Sequence, residues 1–240
     1  MLWGRNVYKT YYVSFQMIES EKTKKKDFVE IKYTGYTNGQ IFDSNIEEDL
    51  KKINPDDKPL KIIIAVGEKM LVQGLDNALE GKELDKEYEV EVGPKEGFGE
   101  RDRNLVKTIP LKVFVEKQLN PKPGMVFVFD NQIAKVITIS GARVITDFNN
   151  PLAGKVLKYK FKIVRRIDDD KEKSKSFFEY FFRFVPDFEV KDSVVIKGRK
   201  ELEFVVNAYK EKFKEVVGKD LKFQLEEKVE DNEKKEEKQI

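Results

Sequence analysis

Along residues 28–34 apolar and polar positions alternate, with Val29, Ile31 and Tyr33 on one face, and Asn38-Gly39 follows before Ile41-Phe42. Period-two alternation closed by Asn-Gly predicts a hairpin, since both turn residues tolerate positive φ. Residues 47–59 are polar, carry Pro55 and Pro59, and read as a loop with room for one helical turn. The run Leu60 to Val66 is apolar but for Lys61, as in a strand buried on both faces. Leu71, Leu75, Ala78 and Leu79 fall at helical spacing and Gly81 suits a C-terminal cap, which predicts a short helix. Tyr88, Val90 and Val92 alternate with glutamates, and Leu157, Tyr159, Phe161 and Ile163 alternate with lysines. Both segments predict half-exposed strands of an antiparallel sheet.

Between those two strands, residues 104–146 contain strand-like runs of their own, Met125 to Phe129, Ala134 to Ser140 and Arg143 to Phe148, and read as a small β domain inserted into the first. The charge run Asp168 to Lys175 reads as a linker. Beyond it, Leu202, Val205, Val206, Tyr209, Phe213, Val216 and Val217 recur at i, i+3, i+4 spacing until Gly218, the strongest helical signal in the chain. A helix over residues 177–185 and strands over 188–197 and 221–226 complete a third, α+β unit. The expected organisation is an extension over 1–26, a first domain from 27–103 plus 147–168, the insert over 104–146, a C-terminal unit over 169–229 and a charged, disordered tail over 230–240. No internal repeat is visible. Residues 1–16, which alternate aromatic and polar side chains without the basic start and apolar centre of a secretory signal, are assigned no function.

Composition narrows the chemistry more than it narrows the fold. Of 240 residues, 46 are basic and 44 acidic, so the net charge of +2 leaves no dominant basic surface for nucleic acid or an anionic membrane. Lys107, Lys112, Lys117 and Lys122 in the insert do not change that balance. The chain has no Cys and no His, which removes thiol nucleophiles, imidazole bases, Ser-His-Asp triads and Cys or His metal clusters. Its longest apolar runs fall well short of the ~20 residues that cross a bilayer. The expectation is a cytoplasmic protein working through grooves, carboxylates and tyrosines.

The order Tyr33-Thr34-Gly35, Phe42-Asp43, Val66-Gly67, Val72-Gln73-Gly74-Leu75 and Gly97-Phe98-Gly99 resembles the FKBP prolyl isomerases. The block from Asn104 to Phe114 and the block Asp147 to Gly154 resemble those bracketing the insert-in-flap domain of the SlyD-like and long archaeal branch. The resemblance spans residues 27–167, and more weakly the last third. It implies an α+β fold: an antiparallel half-barrel sheet wrapped on a short helix, an inserted small β domain and a C-terminal α+β domain. It also implies a groove lined by Tyr33, Phe42, Asp43, Ile62, Leu71, Val72, Leu75, Phe98 and Tyr159. Leu75 stands where many members place a Trp, and Phe98 where most have a Tyr whose hydroxyl bonds substrate.

Taken alone, Tyr33, Ile62 and Tyr159 read as core residues of alternating strands, and Asp43 as an Asx turn. Within the resemblance they become walls of a groove that binds X-Pro segments of unfolded or partly folded clients. Met125, Val126, Phe127, Val128, Phe129, Ile137 and Ile139 of the insert then offer apolar surface and strand edges to such clients, or form the insert's own core. A holdase with weak isomerase activity is the alternative, prompted by Phe98 and Leu75. No cofactor or metal is expected, because the tail Glu-Lys-Lys-Glu-Glu-Lys-Gln-Ile lacks the His and Cys of nickel-binding relatives. The Phe-rich segment 177–184 and the long amphipathic helix give the expectation of a homodimer through the C-terminal unit.

Overall fold

The computed structural model describes residues 22–129 and 132–226, so residues 1–21 of the expected extension and the charged tail lie outside the described residues, while Thr23 is buried with its N–H on the Lys82 carbonyl. Strand β1 (Phe28–Thr37) turns into β2 (Gln40–Ser44) through Asn38 at φ 50° and Gly39 at φ 75°. Two left-handed residues in the turn match the right-handed twist of the paired strands. Helix α1 (Glu47–Ile53) follows, longer than the single turn expected, with Glu47, Glu48 and Asp49 at its positive end and Lys51 and Lys52 at its negative end. Next come β3 (Ile62–Ala65), helix α2 (Gln73–Leu79) and β4 (Glu87–Val92). Strand β3 starts two residues later than its apolar run, leaving Leu60 73% exposed.

The chain then leaves this sheet for a second one: β5 (Val106–Pro110), helix α3 (Leu111–Glu116), β6 (Val126–Phe129), β7 (Gln132–Ser140) and β8 (Arg143–Asp147), in the order β5-β8-β7-β6. Neither β5 nor α3 was expected from periodicity, because five residues of strand ending in Pro110 and six of helix are too short to show a period. Phe114, Phe129, Ala134, Val136 and Val144 form a core belonging to this sheet alone. Strand β9 (Leu157–Ile167) returns to lie between β1 and β4, completing an antiparallel five-stranded sheet in the order β2-β1-β9-β4, with β3 beside β2 on the same edge of β1.

The expected linker is a helix. Residues 170–177 form α4 (Asp170–Phe177), because the Asp169 carboxylate caps it by accepting from the Glu172 N–H at 3.1 Å, while Ser174, Ser176 and Phe177 are buried. A single π turn, Phe178–Phe182, ends at left-handed Arg183, in place of the helix expected over 177–185. The strand expected over 188–197 is two, β10 (Asp187–Val190) and β11 (Val194–Gly198), because Lys191 turns onto the Ser193 carbonyl and folds the run on itself. Helix α5 (Glu201–Val217), ended by Gly218 at φ 83°, crosses to β12 (Leu221–Leu225), which pairs parallel with β11.

The C-terminal unit shares its core with the first sheet: Phe177, Phe178, Phe182 and Phe213 pack in the same buried cluster as Phe28, Ile64, Leu75 and Tyr159. Most of the aromatic surface that prompted the homodimer is covered within the chain, while Phe184 and Phe204 stay exposed. No described helix is long and apolar enough to cross a membrane. Because Phe213 is fully buried and meets Phe177 and Phe178 at 4.9 and 5.5 Å, Phe213→Ala should cost about 3–5 kcal/mol. Calorimetry should show that loss as a lower midpoint for the first sheet and the C-terminal unit together; a C-terminal unit melting alone would contradict the shared core.

Candidate functional site

Three segments converge on Gly35. In β1 it pairs with Asp43 of β2 on one side and with Tyr159 of β9 on the other. Here the rings of Tyr33, Phe42, Tyr159 and Phe98 form one edge-to-face cluster: Phe42 to Tyr159 at 5.7 Å, Tyr33 to Tyr159 at 6.1 Å and Phe42 to Phe98 at 6.4 Å. Edge-to-face contacts set a positive ring edge on a negative face and stiffen the wall they build. A β-carbon on Gly35 would lie 2.6 Å from Phe42 Cζ and 3.0 Å from Tyr159 Cε1, so the cluster exists because position 35 has no side chain.

The polar group of this wall is tied down. Tyr33 Oη donates to Asp43 Oδ2 at 2.8 Å, so Asp43, which lies within strand β2 and does not form the expected Asx turn, orients a ring. Burial pushes the Tyr33 hydroxyl well above the ordinary tyrosine range, with the Asp43 charge adding to it; burial and the same charge raise Tyr159. Both stay neutral at any working pH. Ile62, Leu71 and Val72 are half-buried against the same core, with Val72 capping α2. Leu75 is buried beneath, so it supports the site and does not face solvent.

Two further positioning residues escaped the periodicity. Asn45, buried at the end of the Phe42-Asp43-Ser44-Asn45 stretch, accepts the Tyr33 N–H and donates to the Ile31 carbonyl, both at 2.8 Å. Asp76 accepts the N–H groups of Gly67 and Lys69 at 2.9 and 2.8 Å, while burial holds its carboxyl above the usual range despite those bonds. A polar residue placed where helical spacing demands burial is the signal for Asp76, one residue after Leu75.

On the opposite face of the sheet lies a depression of about 430 Å³ whose lining includes Lys32, Thr34, Tyr36, Asp49, Lys160 and Lys162. Apart from the sheet strands it has nothing in common with the ring cluster, and some of its charges are matched, Lys162 by Asp85, Asp49 by Lys52 and Glu89 by Lys158.

Residues 19–119 match the family profile described as FKBP-type peptidyl-prolyl cis-trans isomerase, and residues 107–152 match that of the FKBP26 IF domain. The chain is 34% identical over 145 residues to the short-type peptidyl-prolyl cis-trans isomerase of Methanocaldococcus jannaschii, covering 58% of this chain and 91% of that protein. The chain belongs to the FKBP-type peptidyl-prolyl cis-trans isomerases. Within that family it is also similar to the isomerase SlyD of Haemophilus influenzae, 39% identical over 46% of this chain and 58% of the relative. SlyD of Escherichia coli is 32% identical over 41% and 52% respectively, so the chain spans little more than half of these SlyD proteins. Strand β9, which completes the ring cluster of this FKBP domain, lies beyond both matched stretches.

Gly35→Ala should lower kcat/KM on a proline tetrapeptide at least tenfold, about 1.4 kcal/mol of transition-state stabilisation, with the fold intact by circular dichroism. Unchanged turnover in the folded variant would mean that the rings do not act together. The pH dependence follows from the tyrosines and the missing imidazole: turnover should vary less than about twofold between about pH 6 and 9. Their folded-state values exceed the unfolded value of about 10, so their contribution to stability is present below about pH 10 and lost as pH rises above it. Alkaline unfolding followed by fluorescence should therefore begin later in Tyr33→Phe than in the parent.

Proposed function

We propose that this isomerase accelerates proline-limited folding of unfolded client chains, with the ring cluster turning over X-Pro bonds while the inserted sheet holds the client. Rotation about the peptide bond faces a barrier of about 18–20 kcal/mol. A planar amide carries more charge separation than a twisted one, so an apolar wall disfavours the ground state more than the transition state. A thousandfold acceleration requires about 4 kcal/mol of such difference. No acid, base or nucleophile takes part, which fits a wall whose tyrosines are neutral and whose chain lacks histidine.

The observation that carries the client-holding part is the order of the second sheet. Among the described residues strand β6 is at its edge, paired only with β7, and turns Val126 and Val128 outward at 57% and 68% exposure. Met125 and Ile137 are exposed as well, whereas Phe129 is buried and Phe127 and Ile139 pack on the sheet's own core. An open edge with apolar side chains supports the addition of an extended segment as a further strand. Residues 104–146 thus divide between core and offered surface.

Two variants and two substrates test this reading. Phe42→Ala should lower turnover of both a proline tetrapeptide and a proline-limited refolding protein at least tenfold, about 1.4 kcal/mol. Val126→Lys with Val128→Lys should leave tetrapeptide turnover within about twofold yet cut refolding about a hundredfold, because local concentration of the client is lost. Equal losses on both substrates in the folded lysine variant would make the insert part of the catalytic groove. Full activity of Phe42→Ala would move the chemistry away from the ring cluster.

A further inference from the structure

Leu71 and Val72 reach the groove from a short loop, residues 66–70, that joins β3 to α2. Its backbone is held in an unusual state: Gly67 at φ 80° and Lys69 at φ 57° are both left-handed, and Lys69 has no glycine's freedom there. A conformation of that kind persists where neighbouring groups over-determine it. Asp76 of α2 supplies one set of restraints, through the Gly67 and Lys69 N–H groups. Met70 supplies another, its buried Sδ accepting the Ala65 N–H at 3.2 Å.

Val66 is bonded to the Lys26 and Asp27 backbones, and further restraints come from the C-terminal unit. Tyr180 Oη, in the π turn after α4, donates to the Lys69 carbonyl at 2.6 Å. Lys212 Nζ, on α5, donates to the Glu68 carboxylate, whose side chain is only 9% exposed, and that pairing holds the lysine above its ordinary range. Just upstream, Ser176 Oγ donates to the Ile63 carbonyl of β3 at 2.6 Å. The Tyr180 ring packs on Phe181 and under Arg183 within its own unit, so its hydroxyl is the part committed to the loop. Tyr180 thus bonds to Lys69 and Lys212 to Glu68, two and three residues before Leu71.

We propose that Tyr180 and Lys212 are positioning residues for prolyl isomerisation: by gripping Glu68 and Lys69 they clamp the 66–70 loop and so place the groove wall formed by Leu71 and Val72. The proposal rests on the groove reading above. It gives the C-terminal unit a role in substrate fit that needs no second copy of the chain and no contact with client.

The test uses the full chain and a proline tetrapeptide, with Tyr180→Phe, Lys212→Met and their combination, Lys212→Arg as the conservative replacement, and Phe42→Ala as the groove control. Wall displacement should weaken binding before it slows the bound step, so the combined variant should raise KM about fivefold with kcat within about twofold. Amide exchange at Gly67 and Lys69 should quicken at least about tenfold while exchange in β1 and β9 stays unchanged, and Lys212→Arg should keep near-parent values. Tyr180→Phe retains every ring contact and supplies the same two readouts if the combined variant does not fold. Parent-like KM and exchange in these variants, alongside a strongly impaired Phe42→Ala, would overturn the clamp and leave the groove standing. Losses in kcat that merely track the unfolded fraction would also overturn it. A fully active Phe42→Ala would instead remove the groove reading, and the clamp with it.

Discussion

The aromatic wall depends on a close approach that only one residue type permits. At Gly35 the strand β1 meets β2 on one side and β9 on the other, and the rings of Phe42 and Tyr159 occupy the space a β-carbon would fill. Strand β9 reaches that point only after the whole second sheet has been traversed, so the site is assembled by the most non-local pairing in the first sheet. Loop-closure cost grows slowly with length, which is why an inserted unit at this position is tolerated. It sits between β4 and β9 and leaves their pairing, Tyr88 to Phe161 and Val90 to Tyr159, in register.

With that packing in place, the chemistry available is that of shape and dryness. The Tyr33 hydroxyl is committed to Asp43, and Phe98 has no hydroxyl at all, so neither ring presents a free donor to a substrate carbonyl. One hydrogen bond that a tyrosine at position 98 would supply is worth about 0.5–1.5 kcal/mol. That is small beside the ~4 kcal/mol required for a thousandfold acceleration, so the mechanism proposed above leaves most of the effect to the apolar environment of the amide.

Period-two alternation made β1, β4 and β9 legible, and the Asn38-Gly39 pair made their first hairpin so, because each is a local pattern with a direct geometric meaning. Helix α5 was equally plain, since seventeen residues give its period room to show. Helix α4 was not, for its charged face outweighs Ser174, Ser176 and Phe177, and small buried polar side chains are invisible to a hydropathy pattern. The ring cluster was named residue by residue from motif order, but its cause was not: the role of Gly35 is steric and requires knowing what lies across two strands. Asn45 and Asp76 were hidden for a related reason, their partners being backbone groups that no side-chain pattern announces.

The two additions to the sheet are attached in physically different ways. The C-terminal unit is fused through a continuous hydrophobic core, in which Phe177 and Phe213 share burial with Phe28 and Ile64. The second sheet keeps its own core and is joined at a polar neck. There Arg101 pairs with Asp147 at 2.7 Å, Asn149 exchanges hydrogen bonds with the Asp102 backbone at 2.8 Å, and the Gly154 N–H reaches the Gly99 carbonyl. Burial opposes the charge on Asp147, yet hydrogen bonds from Asn149 and Arg101 hold its carboxyl below the usual range. A half-exposed ion pair of this kind is worth about 0–1 kcal/mol, far less than a shared aromatic core. The neck adjoins Phe98, the outermost ring of the cluster, whereas the fused unit backs the loop before Leu71. The groove proposed above is therefore backed by a buried aromatic core on one side and joined to the second sheet through polar contacts on the other.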